Sequence, residues 1–423
     1  MPISIRIAAL AVLLGATPQS QPSARDRLNT LEARVGAAVK AGDHQARIAA
    51  DKEVLGLLNG SPDAVEALAR AYAAAGDADN ALAALNRVAD LGVADDNLLA
   101  GNDRNYEALK LRPEYKELLE RFRRNEEPVS LGTPVITMPD AGLLTEDIDF
   151  DPPTRTFLIT SVLENKIVRA GLDGRVTDFA SSPDRWPVLA VKVDSKRGRV
   201  WATEVALDGF TVAPKDAWGR SAVLCYDLKT GKLLNRIEGP PHSALGDMVL
   251  TGGGDPIISD GQDGQLYRLA NGDLHAIDTN EFISPQTPAR GAAADSILVP
   301  DYLRGIGILN LRTHHVSWID AAKTALNGVD GVYTHGRSAI LTQNGTSPQR
   351  VLLAELDPSL KTIVSSKVIE QASADFGDPT HGVFVGDDFY YIANSGWNQL
   401  DDHGDVKAGS RLTAARIMRY SVK

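Results

Sequence analysis

The sequence predicts a multidomain chain that is α first and then all-β: helical hairpins followed by a six-bladed β-propeller. Three observations carry this prediction. Apolar residues recur at helical spacing from about Arg25 to Arg124 and change to alternation after Pro128. Gly/Asp/Pro turns punctuate the second half through to Lys423. That second half also repeats, in six units of roughly 40–55 residues, the spacing of propeller blades. The expected boundaries are a leader over 1–24, a helical domain over 25–127 and a propeller over 129–423.

The first 24 residues, MPISIRIAALAVLLGATPQSQPSA, carry an early Arg, an apolar run from Ile7 to Ala16, and then small and polar residues. This is the layout of a secretory signal peptide, with an apolar run too short to span a membrane. A secreted or periplasmic protein is expected, with a buried N-terminal helix as the alternative. The chain has 423 residues, 43% hydrophobic and 23% charged, the balance of an ordinary globular protein. A formal net charge of −11 argues against nucleic acid as a partner, because phosphate binding needs clustered Lys and Arg. Cys225 is the single cysteine, which excludes an intrachain disulfide and a thiolate metal cluster. No later apolar stretch is long enough for a membrane span.

In the helical half, SPDAVEALARAYAAAGDADNALAALNRVADLGV (61–93) places apolar residues at helical spacing on both sides of Gly76-Asp77. Ser61 is the candidate cap and Pro62 the candidate first helical residue. The 34-residue unit resembles a tetratricopeptide repeat through Leu68, Ala69, Tyr72, Ala81 and Leu85, and departs from it at Val88 and Val93. Segments 26–58 and 103–124 are helical but match it poorly; a generic helical hairpin is the alternative. The resemblance implies a protein partner for the helices; packing on the side of the propeller is the other expectation.

Each unit of the second half reads strand, tight turn, apolar strand, linker, strand. The six begin at 146, 189, 246, 286, 330 and 381. The last ends after its third strand, so TPVITM (133–138) is expected to supply the fourth and close the ring, hiding a sheet edge. A β-sandwich is the alternative fold. In a propeller the start of each inner strand and the end of its neighbour approach the central channel. The first set is Glu146, Leu189, Gly246, Gln286, Asp330 and His381, and the second is Ser161, Glu204, Asp260, Asp301, Asn344 and Asn394. Carboxylates and amides converging there suit a hard divalent cation, Ca²⁺ first, with Mg²⁺, Mn²⁺ or Zn²⁺ as alternatives. The bland alternative is a hydrated ring that binds nothing. His381 is either a base or metal ligand, or a hydrogen-bonded plug of the channel. Trp397, in ANSGWNQLDDHGD, is either a pocket wall or packing.

TEDIDFDPPTRTFLITS with Glu146, and Asp330 in VDGV, make the propeller half resemble the SMP-30/gluconolactonase/LRE group. That resemblance implies one divalent metal held by a Glu, an Asn and an Asp, on which a lactone opens. Glu146 and Asp330 match, whereas the Asn position falls on Gln286 in SPQTP, an amide one methylene longer. A substrate-contacting Asn falls on Gly246, before Asp247. More distantly the half is similar to lactone-cleaving propellers of the paraoxonase kind, which place His at a metal site. The implied metal set is Glu146, Gln286 and Asp330, with Asp330, His381 or Glu204 taking the proton from water. The implied substrate pocket is Asp247, Asp260, Asp301, Asn344, Asn394 and Trp397, with loops 205–221 and 395–411 shaping it. The function expected is metal-dependent hydrolysis of lactones or similar esters. The alternatives are a non-catalytic binding propeller, and a propeller lyase or synthase without metal. Gly252-Gly253-Gly254 lacks the GK[ST] of a phosphate loop, and no G-x-S-x-G elbow occurs.

Overall fold

In a computed structural model, which describes residues 22–423 other than 211, 278 and 375, helices at the N-terminus precede a six-bladed β-propeller. The leader expected over 1–24 therefore lies almost wholly outside the described residues. Helix α1 (Ala24–Ala41) already starts at the end of that segment, capped by Ser23 in a capping box with Asp26. Among the described residues no helix is long and apolar enough to cross a membrane.

Helices α1 and α2 (His44–Leu57) form one hairpin, and α3 (Pro62–Ala74) and α4 (Ala78–Asp90) a second. Ser61 caps α3, with Pro62 at its first position where a missing N–H costs nothing. Asp77 caps α4 after Gly76, whose φ of +77° favours glycine. A short α5 (Asp96–Leu99), a 3-10 turn over Arg104–Leu109 and α6 (Pro113–Asn125) complete the region. Val65, Leu85, Val88, Tyr106, Leu118 and Phe122 form its core, and Ala325 of the propeller joins that core.

The helices pack against blades four and five of their own chain. Arg304 Nε donates to Leu57 O at 2.8 Å, and Ala94 N to Ser347 O at 2.7 Å. Gln371 Nε2 donates to the carbonyls of Asn125 and Glu127 at 3.0 and 2.8 Å. Ile283 and Leu303 meet Ala24, Leu28 and Leu58 in an apolar layer.

Among the described residues, the propeller has six antiparallel sheets. Blade one contains strands Thr145–Asp151, Thr156–Ser161, Lys166–Gly171 and Val176–Ser181. Blades two to five span 188–238, 245–276, 289–318 and 329–371. Blade six takes three strands from 382–421, and Thr133–Thr137 pairs beside Arg416–Ser421 as its fourth, with Ile136 opposite Ile417. The ring is thus closed by the strand predicted to close it. Val129–Ser130 adds a fifth strand to the outer edge of blade five. The core lies in the layers between successive blades; Phe157 and Ile159 of blade one, for example, pack on Tyr390 and Ile392 of blade six. Each fully buried Ile or Phe contributes about 1.5–3 kcal/mol.

Candidate functional site

The inner strands are not regular. Their pairing slips between Thr145 and Ile148, Val188 and Val191, Leu245 and Met248, and Val329 and Gly331. A bulge puts an extra residue on one strand and re-aims the side chains there. The residues at these slips include Glu146, Asp147, Asp247 and Asp330. Threonine hydroxyls hold two of the slips in place. Asp147 N donates to Thr160 Oγ1 at 2.8 Å, and Thr160 donates on to Leu189 O of the next blade at 3.0 Å. Ala190, Thr203 and Gly246 repeat this device one blade later, at 3.0 and 2.7 Å.

The cluster forms where these slips meet His381, which directly precedes the inner strand of blade six. Ligand atoms of Glu146, Asp330 and His381 all lie within 4.8 Å of one another. His381 Nδ1 is 3.3 Å from Asp147 Oδ1, and Nε2 is 3.3 Å from Asp247 Oδ1 and 3.7 Å from Asp330 Oδ2. Thr287 Oγ1 is 2.8 Å from Nε2. Asn344 Nδ2 donates to Asp330 Oδ2 at 3.0 Å and is oriented by Tyr302, whose hydroxyl donates to Asn344 Oδ1 at 2.9 Å.

The neighbouring acids of the opening strand, Glu146 and Asp147, part company. Glu146 stays partly exposed and accepts from the Trp397 indole N–H. Asp147 is buried and accepts from Val191 N at 2.8 Å and from Lys192 Nζ, joining blade one to blade two. Asp149 repeats the stitch on Val193 N at 2.6 Å.

Electrostatics follow from burial and crowding. Burial would raise Asp147, but Lys192 and His381 outweigh it and hold its carboxyl at about 2. Burial lifts Asp330 to about 7, raises Asp149 to about 6, and pushes Glu146 and Asp247 upward. For His381, burial works downward, but Asp247, Asp147 and Asp330 together push it up to about 10. The imidazolium is the counter-ion at the centre of the carboxylates.

One wall beside the cluster is apolar. Trp397 opens a 3-10 turn (Trp397–Gln399) and meets Phe210 edge-on, with ring centroids 5.5 Å apart. Leu144, Leu189, Leu207 and Leu400 complete this wall. The loops expected to shape a pocket therefore touch each other next to Glu146. Apolar lining beside a few convergent polar groups is the usual make-up of a small-molecule site.

The structure brings together Glu146, Asp247, Asp330, His381, Asn344 and Trp397 of the predicted residues, and leaves five out. Gln286 is turned to its own loop, donating to Ser284 O and Oγ at 3.2 and 3.0 Å, and Thr287 faces His381 in its place. Glu204 is fully buried in an ion pair with Arg236 at 2.8 Å and accepts from Ser182. Asp260 caps the turn after its strand through the amides of Ala244, Gln262 and Asp263. Asp301 does the same with Ile283, Ser284, Leu303 and Arg304. Asn394 is spent on Arg416 N and Ala414 O. Ends of second strands in this chain thus satisfy turn amides more than they line a mouth. Sequence reasoning missed Asp147, Lys192 and Thr287.

No family model and no curated protein matches the chain. Among solved structures it is similar to virginiamycin B lyase from Staphylococcus aureus, at 12% identity and a TM-score of 0.43, over 69% of this chain and 99% of that one. A catalytically inactive form of that lyase with quinupristin gives 14%, 0.46, 70% and 100%. A calcium-binding regucalcin from Agrobacterium tumefaciens gives 16%, 0.48, 69% and 95%. These likenesses concern the propeller fold.

Proposed function

We propose that the protein is an exported, metal-dependent hydrolase of lactones or similar esters. One observation carries the reading: the carboxylates of Glu146, Asp147, Asp149, Asp247 and Asp330 crowd around His381, and among the described residues Lys192 is the one ammonium that pairs with them. Such crowding of carboxylates, most of which burial pushes towards the neutral form, would be relieved by a divalent cation that takes the place of the imidazolium proton. Glu146, Asp330 and His381 fit one, with two carboxylates and an imidazole on three different blades. A nitrogen in the donor set suits Mn²⁺ or Zn²⁺ better than Ca²⁺. Asp147, 3.3 Å from Nδ1, would fix the ring so that Nε2 faces the other acids. A divalent cation held there would act as a Lewis acid on a carbonyl oxygen.

The chain's own groups supply the rest of the chemistry. Asp247, 3.3 Å from His381 Nε2 and pushed upward by burial, would take the proton from the attacking water and return it. Asn344 would orient Asp330 as a ligand. The wall of Trp397, Phe210 and Leu189 would receive the carbon skeleton of the substrate. Export rests on the N-terminal pattern, and a protein partner for the helices on their repeat-like sequence.

A second reading, a binding propeller without turnover, is favoured by Gln286 turning away from the cluster. A lactone panel with chelated and reloaded protein separates the two. The hydrolase reading expects turnover that vanishes on chelation, returns with one cation, and falls at least about 100-fold in Asp330→Asn. No turnover with any lactone or cation would leave the binding propeller.

A further inference from the structure

Where α4 and α6 meet blade five, a cavity of about 240 Å³ is lined by Arg350, Arg124, Lys323, Thr324, Ser366 and Gln371. Arg350 is only 2% exposed. Its Nε donates to Gln343 Oε1 and its Nη1 to Gly92 O, both at 2.6 Å, while Nη2 has no partner. Among the described residues no carboxylate pairs with it, and burial alone pushes its guanidinium down to about 10. Buried arginines are ordinarily paired, because an unpaired buried charge costs several kcal/mol.

Two exposed cations stand at the rim, Arg124 from the last turn of α6 and Lys323 from the loop before blade five. Neither has an ion pair among the described residues. The acid at the rim, Asp90, is taken by Arg121. On the far side Gln371 spends its amide nitrogen on the carbonyls of Asn125 and Glu127, which leaves Oε1 buried without a donor. The residues lining the cavity therefore carry surplus positive charge, with one unmet donor on Arg350 and one unmet acceptor on Gln371. A water could meet the hydrogen bonds but would leave the charge of Arg350 uncompensated.

We propose that this seam binds a small oxyanion that also carries a hydroxyl. The anionic oxygens would face Arg350 Nη2, Arg124 and Lys323, and the hydroxyl would donate to Gln371 Oε1. Hydrogen phosphate and a small hydroxycarboxylate share this chemistry, and the cavity volume limits the ligand to that size. Because its lining comes from both α6 and blade five, the bound anion would tie the helices to the propeller.

The test is thermal unfolding of the full chain in rising sodium phosphate or sodium lactate, against sodium chloride at matched ionic strength. The proposal expects a saturable rise in Tm with one of the two anions, which identifies the source, and none with chloride. In the double variant Arg124→Gln/Lys323→Gln, both exposed positions, the anion-free Tm should hold while the half-saturating concentration rises about tenfold. No rise beyond chloride with either anion would overturn the proposal. An equal response in the double variant would overturn it as well.

Discussion

Asp147→Asn keeps the shape of a buried side chain and removes its charge. In the native protein that carboxylate is the partner of Lys192 and lies beside His381, and it accepts the amide of Val191 at 2.8 Å. Holding it at about 2 instead of the ordinary 3.8 is worth on the order of 2 kcal/mol at neutral pH. Breaking a buried ion pair by removing one partner costs about 3–5 kcal/mol. The variant should therefore lose about 2–4 kcal/mol, close to 1 M in urea midpoint for a slope of about 3 kcal/mol/M. Unfolding followed by tryptophan fluorescence would read this.

The sign of the pH dependence is fixed by the depressed value. The stability from Asp147 is present above pH 3.8 and is lost as pH falls through about 2, so the cost of Asn should fall to about half by pH 3. Adding Lys192→Met to the variant should recover part of the loss, since it removes the stranded ammonium. A cost below about 0.5 kcal/mol at pH 7, or one unchanged down to pH 3, would refute the reasoning.

Gly328→Ala would place a Cβ 2.5 Å from the backbone of Gly345 at a φ of +63°, so a loss of at least about 2 kcal/mol is expected in the same urea assay. Glu66 is raised to about 8, chiefly by burial and then by Asp95, so the stability it contributes is present below pH 4.5 and lost as pH rises through 8. Glu66→Gln should flatten that decline, which Tm measured from pH 4 to 9 would show. Trp397 donates to Glu146, so it should sensitise Tb³⁺ bound at the cluster; Trp397→Phe should abolish most of that emission while leaving the far-ultraviolet circular dichroism unchanged.

The helices and blades were legible because their signals are local. Ser61-Pro62 and Gly76-Asp77 mark helix ends by their own chemistry, and a sixth unit one strand short points to Thr133–Thr137 as its complement. The site was legible where the inner strand starts within one residue of the expected position, as at Glu146, Asp330 and His381. In blade three the slip at 246–247 leaves no side chain at Gly246 and one at Asp247. In blade four the inner strand shrinks to Ala289–Arg290, and Thr287 replaces Gln286. A strict period of two cannot register a bulge, because the bulge is set by the hydroxyl of a residue on the neighbouring strand, such as Thr160. Lys192 was hidden for a related reason. It alternates with Val191 and Val193 as a solvent-facing residue would, yet its ammonium reaches Asp147 of the previous blade.

On the reading proposed above, the acids around His381 hold a divalent cation. Calorimetric titration of Mn²⁺ or Zn²⁺ into chelator-treated protein tests it most directly, with Glu146→Gln and Asp330→Asn alongside. One saturable site per chain, weakened at least about tenfold in each variant, is the predicted result. No binding heat with either cation, or equal affinity in both variants, would contradict it.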